Sequence, residues 1–367
     1  MVKYYNIDKE FIRIEIDFLK KIKKHLRTGN FILGENLYEF EKKISNLLKS
    51  KYVLGVANGT DALELAMLAI DIKKDDEVIT APNSFISTAN AIINVGAKPV
   101  FADIDENFNL DPNKIEKCIT RKTKVIMPVH LNGFPSCMNK IKEIAKKYNL
   151  YVIEDVAQSI LSKFGNKYLG TIGDIGCFSL HPTKNLGALG DAGFITTQNK
   201  KLFFKLKYLR NHGLGKSDEI VLVGRNSRLD EIQAIALNLK LKFLKKDTIA
   251  KRKNAKIYFQ ELQNLPNIKL PKLNCCEIAE HVYHRFVIRC IKDRDLLFKF
   301  LLKKNIEVKI HYSKNIHDQE PIKKICGRNK FPVADKLSRE IISLPINQFT
   351  TSNEIKKICN YIKIFYS

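Results

Sequence analysis

Between Lys51 and Thr197 the chain alternates short apolar runs with stretches of helical period. The runs are KYVLGVA, DEVITAP, KPVFADI, TKVIMPVH, YVIED, IGCFSLH and AGFITT. Their length and β-branched content predict strands. Between the first two, DALELAMLAI sets Leu63, Ala66, Met67 and Ile70 at i, i+3, i+4 and i+7, which predicts a helix with one apolar face. In PSCMNKIKEIAKKYN, Met138, Ile141, Ile144 and Ala145 face one way and the lysines the other. Strand–helix alternation of this kind predicts an α/β layer with a mainly parallel sheet, which binds ligands beyond the carboxyl ends of its strands.

A long amphipathic helix is predicted from about Leu229 to Lys245. Beyond it the texture changes. QNLPNIKLPKLN reads as a loop, HVYHRFVIRC as a strand, DRDLLFKFLLKKN as a helix and EVKIHYS as a short strand. This predicts a large domain over residues 1–245, including the N-terminal segment, and a smaller α+β domain over 246–367.

Composition narrows the function classes. The 367 residues are 45% hydrophobic, ordinary for a globular chain. No apolar run reaches the roughly 18 residues of a membrane helix. MVKYYNIDKEFIRIEI lacks the apolar core of a signal peptide, so the expected compartment is the cytoplasm. The eight cysteines (Cys118, Cys137, Cys177, Cys275, Cys276, Cys290, Cys326, Cys359) form no C-x-x-C pair. Neither a disulfide framework nor a zinc site is expected. The net charge of +24 raises the question of nucleic acid. The lysines, however, fall as scattered pairs without interleaved aromatics. They read as a solvated surface that would also attract an anionic substrate.

Three stretches carry chemistry. VANGTDALE follows a strand and opens a helix. Gly59 allows close backbone approach, and the helix start with the Thr60 hydroxyl suits a phosphate. Asp61 and Glu64 have the spacing of a capping box. In YVIEDVAQS, Asp155 ends an apolar strand, with Gln158 three residues on. A carboxylate there is expensive unless it meets a cation. In SLHPTKNLGALGDAG, Lys184 precedes Gly187, Gly190 and Gly193. That order fits neither a P-loop nor a dinucleotide fingerprint. What remains is a lysine in a tight pocket, where a lowered pKa makes its amine a nucleophile. An imine-forming lysine, a carboxylate for a ring nitrogen and an anion site together describe a pyridoxal phosphate site. Phe85, after DEVITAP, is placed in chain order to stack on the ring.

NFILGENLYEFEKKIS, VANGTDALELA, VITAPNSFISTANAI, GAKPVFADID, VIMPVHLNG, VIEDVAQS, FSLHPTKNLGALGDAG, RNSRLDEIQA, VKIHYS and LSREIISLP stand in one order along nearly the whole chain. With these blocks the sequence resembles the DegT/DnrJ/EryC1/StrS family of sugar aminotransferases. The resemblance implies the three-layer α/β fold type I of the pyridoxal phosphate transferases, with a mixed, mostly parallel seven-stranded sheet and helices on both faces. It implies that Lys184 anchors the cofactor, Asp155 pairs with its ring nitrogen and Gln158 lies near its ring hydroxyl. Gly59, Thr60 and Ser179 would bind its phosphate, and Phe85 would stack on it. Asn226 would reach the phosphate from a neighbouring subunit of a homodimer whose active sites lie at the interface. Asn132 stands where the family often has tyrosine.

The implied reaction takes an amino group from glutamate, leaving 2-oxoglutarate and pyridoxamine phosphate, and passes it to a nucleotide-linked keto-sugar. Lys184, where the family's dehydratases carry histidine, argues against the dehydratase branch. NGTDALEL and APNSFISTANAI resemble members that aminate C3 more than those that aminate C4. His311, Tyr312 and His317 are candidate substrate contacts. Arg228 is another, or it pairs with Asp230 or Glu231. The rival readings are a C4 aminotransferase, a pyridoxal phosphate enzyme of another reaction type, and a catalytically idle regulatory or nucleic-acid-binding protein.

Overall fold

The computed structural model describes residues 1–216, 219–272 and 279–367. All seven predicted strands form and join one sheet: β1 (Tyr52–Val56), β2 (Glu77–Thr80), β3 (Lys98–Phe101), β4 (Thr123–Met127), β5 (Tyr151–Asp155), β6 (Ile175–Ser179) and β7 (Gly193–Thr197). Their order is β1-β7-β6-β5-β4-β2-β3. Only β7 runs antiparallel to its neighbours.

Side-chain alternation divides this sheet's residues between two cores. Val53, Ile79, Ile126, Val152, Phe178 and Phe194 enter one core. Their chain neighbours Leu54, Val78, Val125, Ile153, Cys177 and Ile195 enter the other. Helices α1 (Glu35–Leu48) and α3 (Met138–Tyr148) cover the first face, and α2 (Gly59–Ala69) the second. Because both faces are covered, the strands read as apolar runs rather than alternating ones. Helix α2 goes beyond its predicted single apolar face: Ala62 to Met67 are all buried, Glu64 included. It lies between the sheet and a further helix, Lys200–Arg210.

The helix predicted to end at Lys245 does not end there. Helix α4 runs unbroken from Glu231 to Leu262. The sequence has no glycine or proline between Leu229 and Leu265, and within the polar KKDT only Lys245 and Lys246 are exposed, while Asp247 is half-buried and Thr248 buried on the helix. Asp247 pairs with Arg13 at 2.9 Å. Near its start α4 packs Ile235, Ala236 and Leu239 on Ile14 and Phe18. Near its end Ala255, Tyr258 and Leu262 join the C-terminal core. The expected division at 245 therefore falls inside a helix that belongs to both cores. The N-terminus also departs from expectation. Val2 pairs with Ile306 and lies in the C-terminal core rather than with the sheet.

That second core is built on antiparallel strands Ile268–Lys269, Phe286–Cys290 and Ile341–Leu344, with helices α5 (Arg294–Lys303) and α6 (Ser352–Tyr366) against them. The predicted strand HVYHRFVIRC narrows to its second half. EVKIHYS is no strand and keeps only a bridge from Lys309 to Ser343. Cys118, Cys177, Cys290, Cys326 and Cys359 are free thiols, and Cys275 and Cys276 lie outside the described residues.

Candidate active site

Strands β1, β5 and β6 point their carboxyl ends the same way. There a cavity of about 650 Å³ opens, lined by Gly59, Thr60, Phe85, Asp155, Gln158, Ser179, Lys184, Arg225, Arg285, His311 and Tyr312 among others. Seven of the residues singled out for the cofactor thus come together from distant parts of the chain.

Asp155 closes β5 and is buried. Its Oδ1 accepts from the Ala157 N–H at 3.1 Å and its Oδ2 from the Thr88 hydroxyl at 3.0 Å. Burial still raises its pKa. Among the described residues no cation forms an ion pair with it, so the site suits a cationic group. Gln158 is held by its Oε1, which accepts from the Asn132 N–H at 2.8 Å. This gives Asn132 a role its side chain does not reveal. The residue adopts φ 58°, turns its own N–H to Gln158 and offers its carbonyl to the Arg285 N–H at 3.2 Å.

Lys184 lies in the loop after β6, its backbone N–H donating to the His181 carbonyl at 2.8 Å. Burial first, and then the charge of Arg285, push its pKa down to about 8, against an opposing pull from Asp155. A substantial share of this amine is neutral near physiological pH, which is what imine formation needs. A second buried lysine, Lys251, is also pushed down to about 8 by burial. Its ammonium instead donates to Asn185 Oδ1 at 2.8 Å, outside the cavity.

At the other end, Ser179 closes β6 opposite the start of α2. A Cβ on Gly59 would stand 2.7 Å from the Ser179 Cβ, so only glycine lets the two elements meet. The expected capping box does not form. Asn58 caps α2, its side chain accepting from the Asp61 N–H at 2.8 Å. Glu64 turns inward to accept from Asn94 at 2.8 Å and to pair with Arg225. Gly187 serves packing: its Cβ would meet the Pro182 carbonyl oxygen at 2.4 Å.

Phe85 stands at the cavity mouth, 52% exposed, 5.9 Å from the Tyr312 ring. His311 bonds to Ser343 Oγ at 2.9 Å, and burial pushes its pKa down to about 2, so it is neutral. Three expectations fare differently. His317 is not a cavity residue. It is buried beneath Phe331 with its Nε2 3.0 Å from Asp335, because the short helix Ile316–Asp318 turns it inward. Arg228 donates to Asn211 Oδ1 at 3.1 Å and pairs with neither Asp230 nor Glu231. Glu231 is consumed by the N–H groups of Gly34, Asn36 and Leu37. Asn226 is exposed outside the cavity of its own chain, bridged to Asn211. Among the lining residues that went unread are Thr88 and the two arginines, Arg225 and Arg285. The signal for Arg285 is a cation, one of two with Arg289, inside the aromatic and β-branched run HVYHRFVIRC.

The donor set fits pyridoxal phosphate: a depressed lysine, a buried carboxylate with no ion pair among the described residues, and a glycine-tight helix start beside a serine share one cavity. No helix among the described residues is long and apolar enough to cross a membrane.

Residues 13–363 match the family described as the DegT/DnrJ/EryC1/StrS aminotransferase family. The chain is 40% identical over 359 residues to the dTDP-3-amino-3,6-dideoxy-alpha-D-galactopyranose transaminase of Aneurinibacillus thermoaerophilus, covering 98% of each chain. It is 37% identical over 354 residues to the UDP-N-acetyl-3-dehydro-alpha-D-glucosamine 3-aminotransferase of Acidithiobacillus ferrooxidans, covering 96% of this chain and 95% of the other. Among solved structures it is similar to DesV of S. venezuelae, with a TM-score of 0.96 at 29% identity, covering 100% of this chain and 98% of that one. The shared sheet is the fold-type-I arrangement expected from sequence. From fold, cavity and likeness together, the chain belongs to the DegT/DnrJ/EryC1/StrS aminotransferase family and is an aminotransferase that uses pyridoxal phosphate.

Proposed function

We propose that the enzyme transfers the amino group of glutamate to C3 of a nucleotide-linked keto-hexose, serving surface-glycan or other amino-sugar synthesis in the cytoplasm. The observation that carries the chemistry is Lys184, depressed to about 8, sharing a cavity with the carboxylate of Asp155, which forms no ion pair among the described residues. The C3 assignment is supported by two relatives named for 3-amino sugars, one carried on dTDP and one on UDP.

Bound pyridoxal phosphate supplies an electron sink for the carbon that carries the exchanging amine. The chain does the rest. Lys184 holds the cofactor covalently and, once displaced, carries a proton on its Nζ to and from the reacting carbon. Asp155, oriented by Thr88 and Ala157, holds positive charge on the ring nitrogen. Gln158 would lie near the ring hydroxyl, and Phe85 would cover the ring. Gly59, Thr60 and Ser179 hold the phosphate. Asn226, exposed on its own subunit, completes the phosphate site of a partner in a homodimer. His311 and Tyr312 face the sugar.

Borohydride reduction of the yellow protein should fix the cofactor on the peptide containing Lys184, and an unmodified peptide would sink the lysine assignment. A panel of nucleotide-linked amino sugars, run in the amine-donating direction, decides the carbon. Bleaching of the cofactor by 4-amino but not 3-amino sugars would replace C3 with C4. Oxidised product from glutamate without any sugar amination would point to another reaction type.

A further inference from the structure

Arg285 is 6% exposed and lines the cavity, yet its guanidinium is largely unspent. Its Nη2 lies 3.3 Å from the Tyr312 hydroxyl, and the Tyr312 ring centre is 5.2 Å from its Cζ. Among the described residues the buried Nε and Nη1 donors meet no acceptor in hydrogen-bond geometry, with the Tyr5 phenol nearby. Among the described residues no carboxylate forms an ion pair with it. Its electrostatic neighbours are the phenols of Tyr4, Tyr5 and Tyr312, and Lys184, a second cation. A buried guanidinium without a counter-charge is strongly disfavoured. Two cations facing one cavity add repulsion to that cost. An anion placed between them relieves both.

We propose that Arg285, steadied by Tyr312, is the carboxylate receptor of the active site and grips the carboxylate of the amino donor. The planar donor edge of a guanidinium matches a carboxylate in shape and charge. Position favours the donor. The carbon that reacts must come to Lys184, and in an α-amino acid that carbon itself carries the carboxylate. The carboxylate therefore arrives beside Lys184, where the charge of Arg285 is already felt. A sugar bearing a carboxyl group at C6 could present the same chemistry. Asn132 sets the position of the receptor, since its carbonyl accepts from the Arg285 N–H while its N–H holds Gln158.

The proposal rests on the aminotransferase reading, and three donors test it. Wild-type, Arg285→Leu and Arg285→Lys holoenzymes are followed by cofactor absorbance in single turnovers. The donors are L-glutamate, a nucleotide-linked 3-amino sugar with a neutral C6, and one with a C6 carboxylate. In Arg285→Leu the half-saturating glutamate concentration should rise at least about tenfold, the scale of one charged hydrogen-bonded contact. Arg285→Lys should recover part of that loss, and the neutral sugar should shift by less than about threefold. A rise confined to the C6-carboxylate sugar keeps the carboxylate receptor and assigns it to the sugar. Equal shifts with all three donors, or none, overturn the proposal. Should Arg285→Leu fail to fold, Arg285→Gln carries the same comparison. Wild-type enzyme that bleaches with glutamate but with neither sugar would refute the sugar assignment, while the glutamate arm would still decide the role of Arg285.

Discussion

On the sheet side of the cavity, both oxygens of Asp155 and the Oε1 of Gln158 are already bonded within the chain. On the C-terminal side, among the described residues, Arg285 Nε and Nη1 and, behind them, His284 Nε2 have no hydrogen-bond partner. The first wall is set before any ligand arrives, so binding there costs little reorganisation. The second has lost water without regaining partners, and it recovers that cost only when a polar ligand fills the cavity. This contrast fits the division proposed above: a resident cofactor against the sheet wall and exchanging substrates against the other. It also separates two lysines with the same depressed pKa. Lys251 is satisfied by Asn185, whereas Lys184 faces the cavity.

The sharpest way to break the contrast is Lys184→Ala. It should lower turnover by at least about 10⁴-fold while the variant still binds cofactor noncovalently. Steady-state rates together with an absorbance titration check this, and borohydride should then label neither position 184 nor Lys251. Asp155→Asn comes next, because it leaves a cationic ring nitrogen without its counter-charge. About 3 kcal/mol, roughly a hundredfold in turnover, should be lost, with cofactor content measured in parallel. A sheet wall that tolerated this change would not be the preorganised one.

Gly59→Ala should be milder. Its new Cβ would press on Ser179, and an overpacking strain of about 1–3 kcal/mol should appear as weaker retention of cofactor on dialysis. The smallest effect is in pH. The folded pKa of Lys184 is lowered from 10.5 to about 8, so its neutral, reactive form grows as pH rises through that value. Capture of pyridoxal phosphate by the apoprotein should therefore quicken with pH and level off above about 8. A plateau reached only near the ordinary lysine value would show that burial does not reach Lys184.

The strands and the sheet-wall residues were legible in the chain because they are local. An apolar run ending in Asp155, or a glycine-opened helix beside Thr60, carries its meaning within about ten residues. Helix α4 was misread at Lys245 because a polar stretch on a helix surface looks the same as an exit. His317 was misjudged for a related reason: its neighbours His311 and Tyr312 do reach the cavity, and only a short turn sends it to Asp335 instead. Arg285 was missed because its message is an absence. What marks it is that no carboxylate among the described residues forms an ion pair with it, and distances across the fold decide that.

Taken alone, the order of residues determined the seven strands and the main groups able to hold a cofactor. These follow from side-chain period and from chemistry carried by single residues. Tertiary structure alone decided which of those groups share a cavity, which polar atoms are already satisfied and which are left waiting. Partnership and desolvation are properties of surroundings. The surroundings of Arg285 come from residues as distant as Tyr4, Asn132, Lys184 and Tyr312.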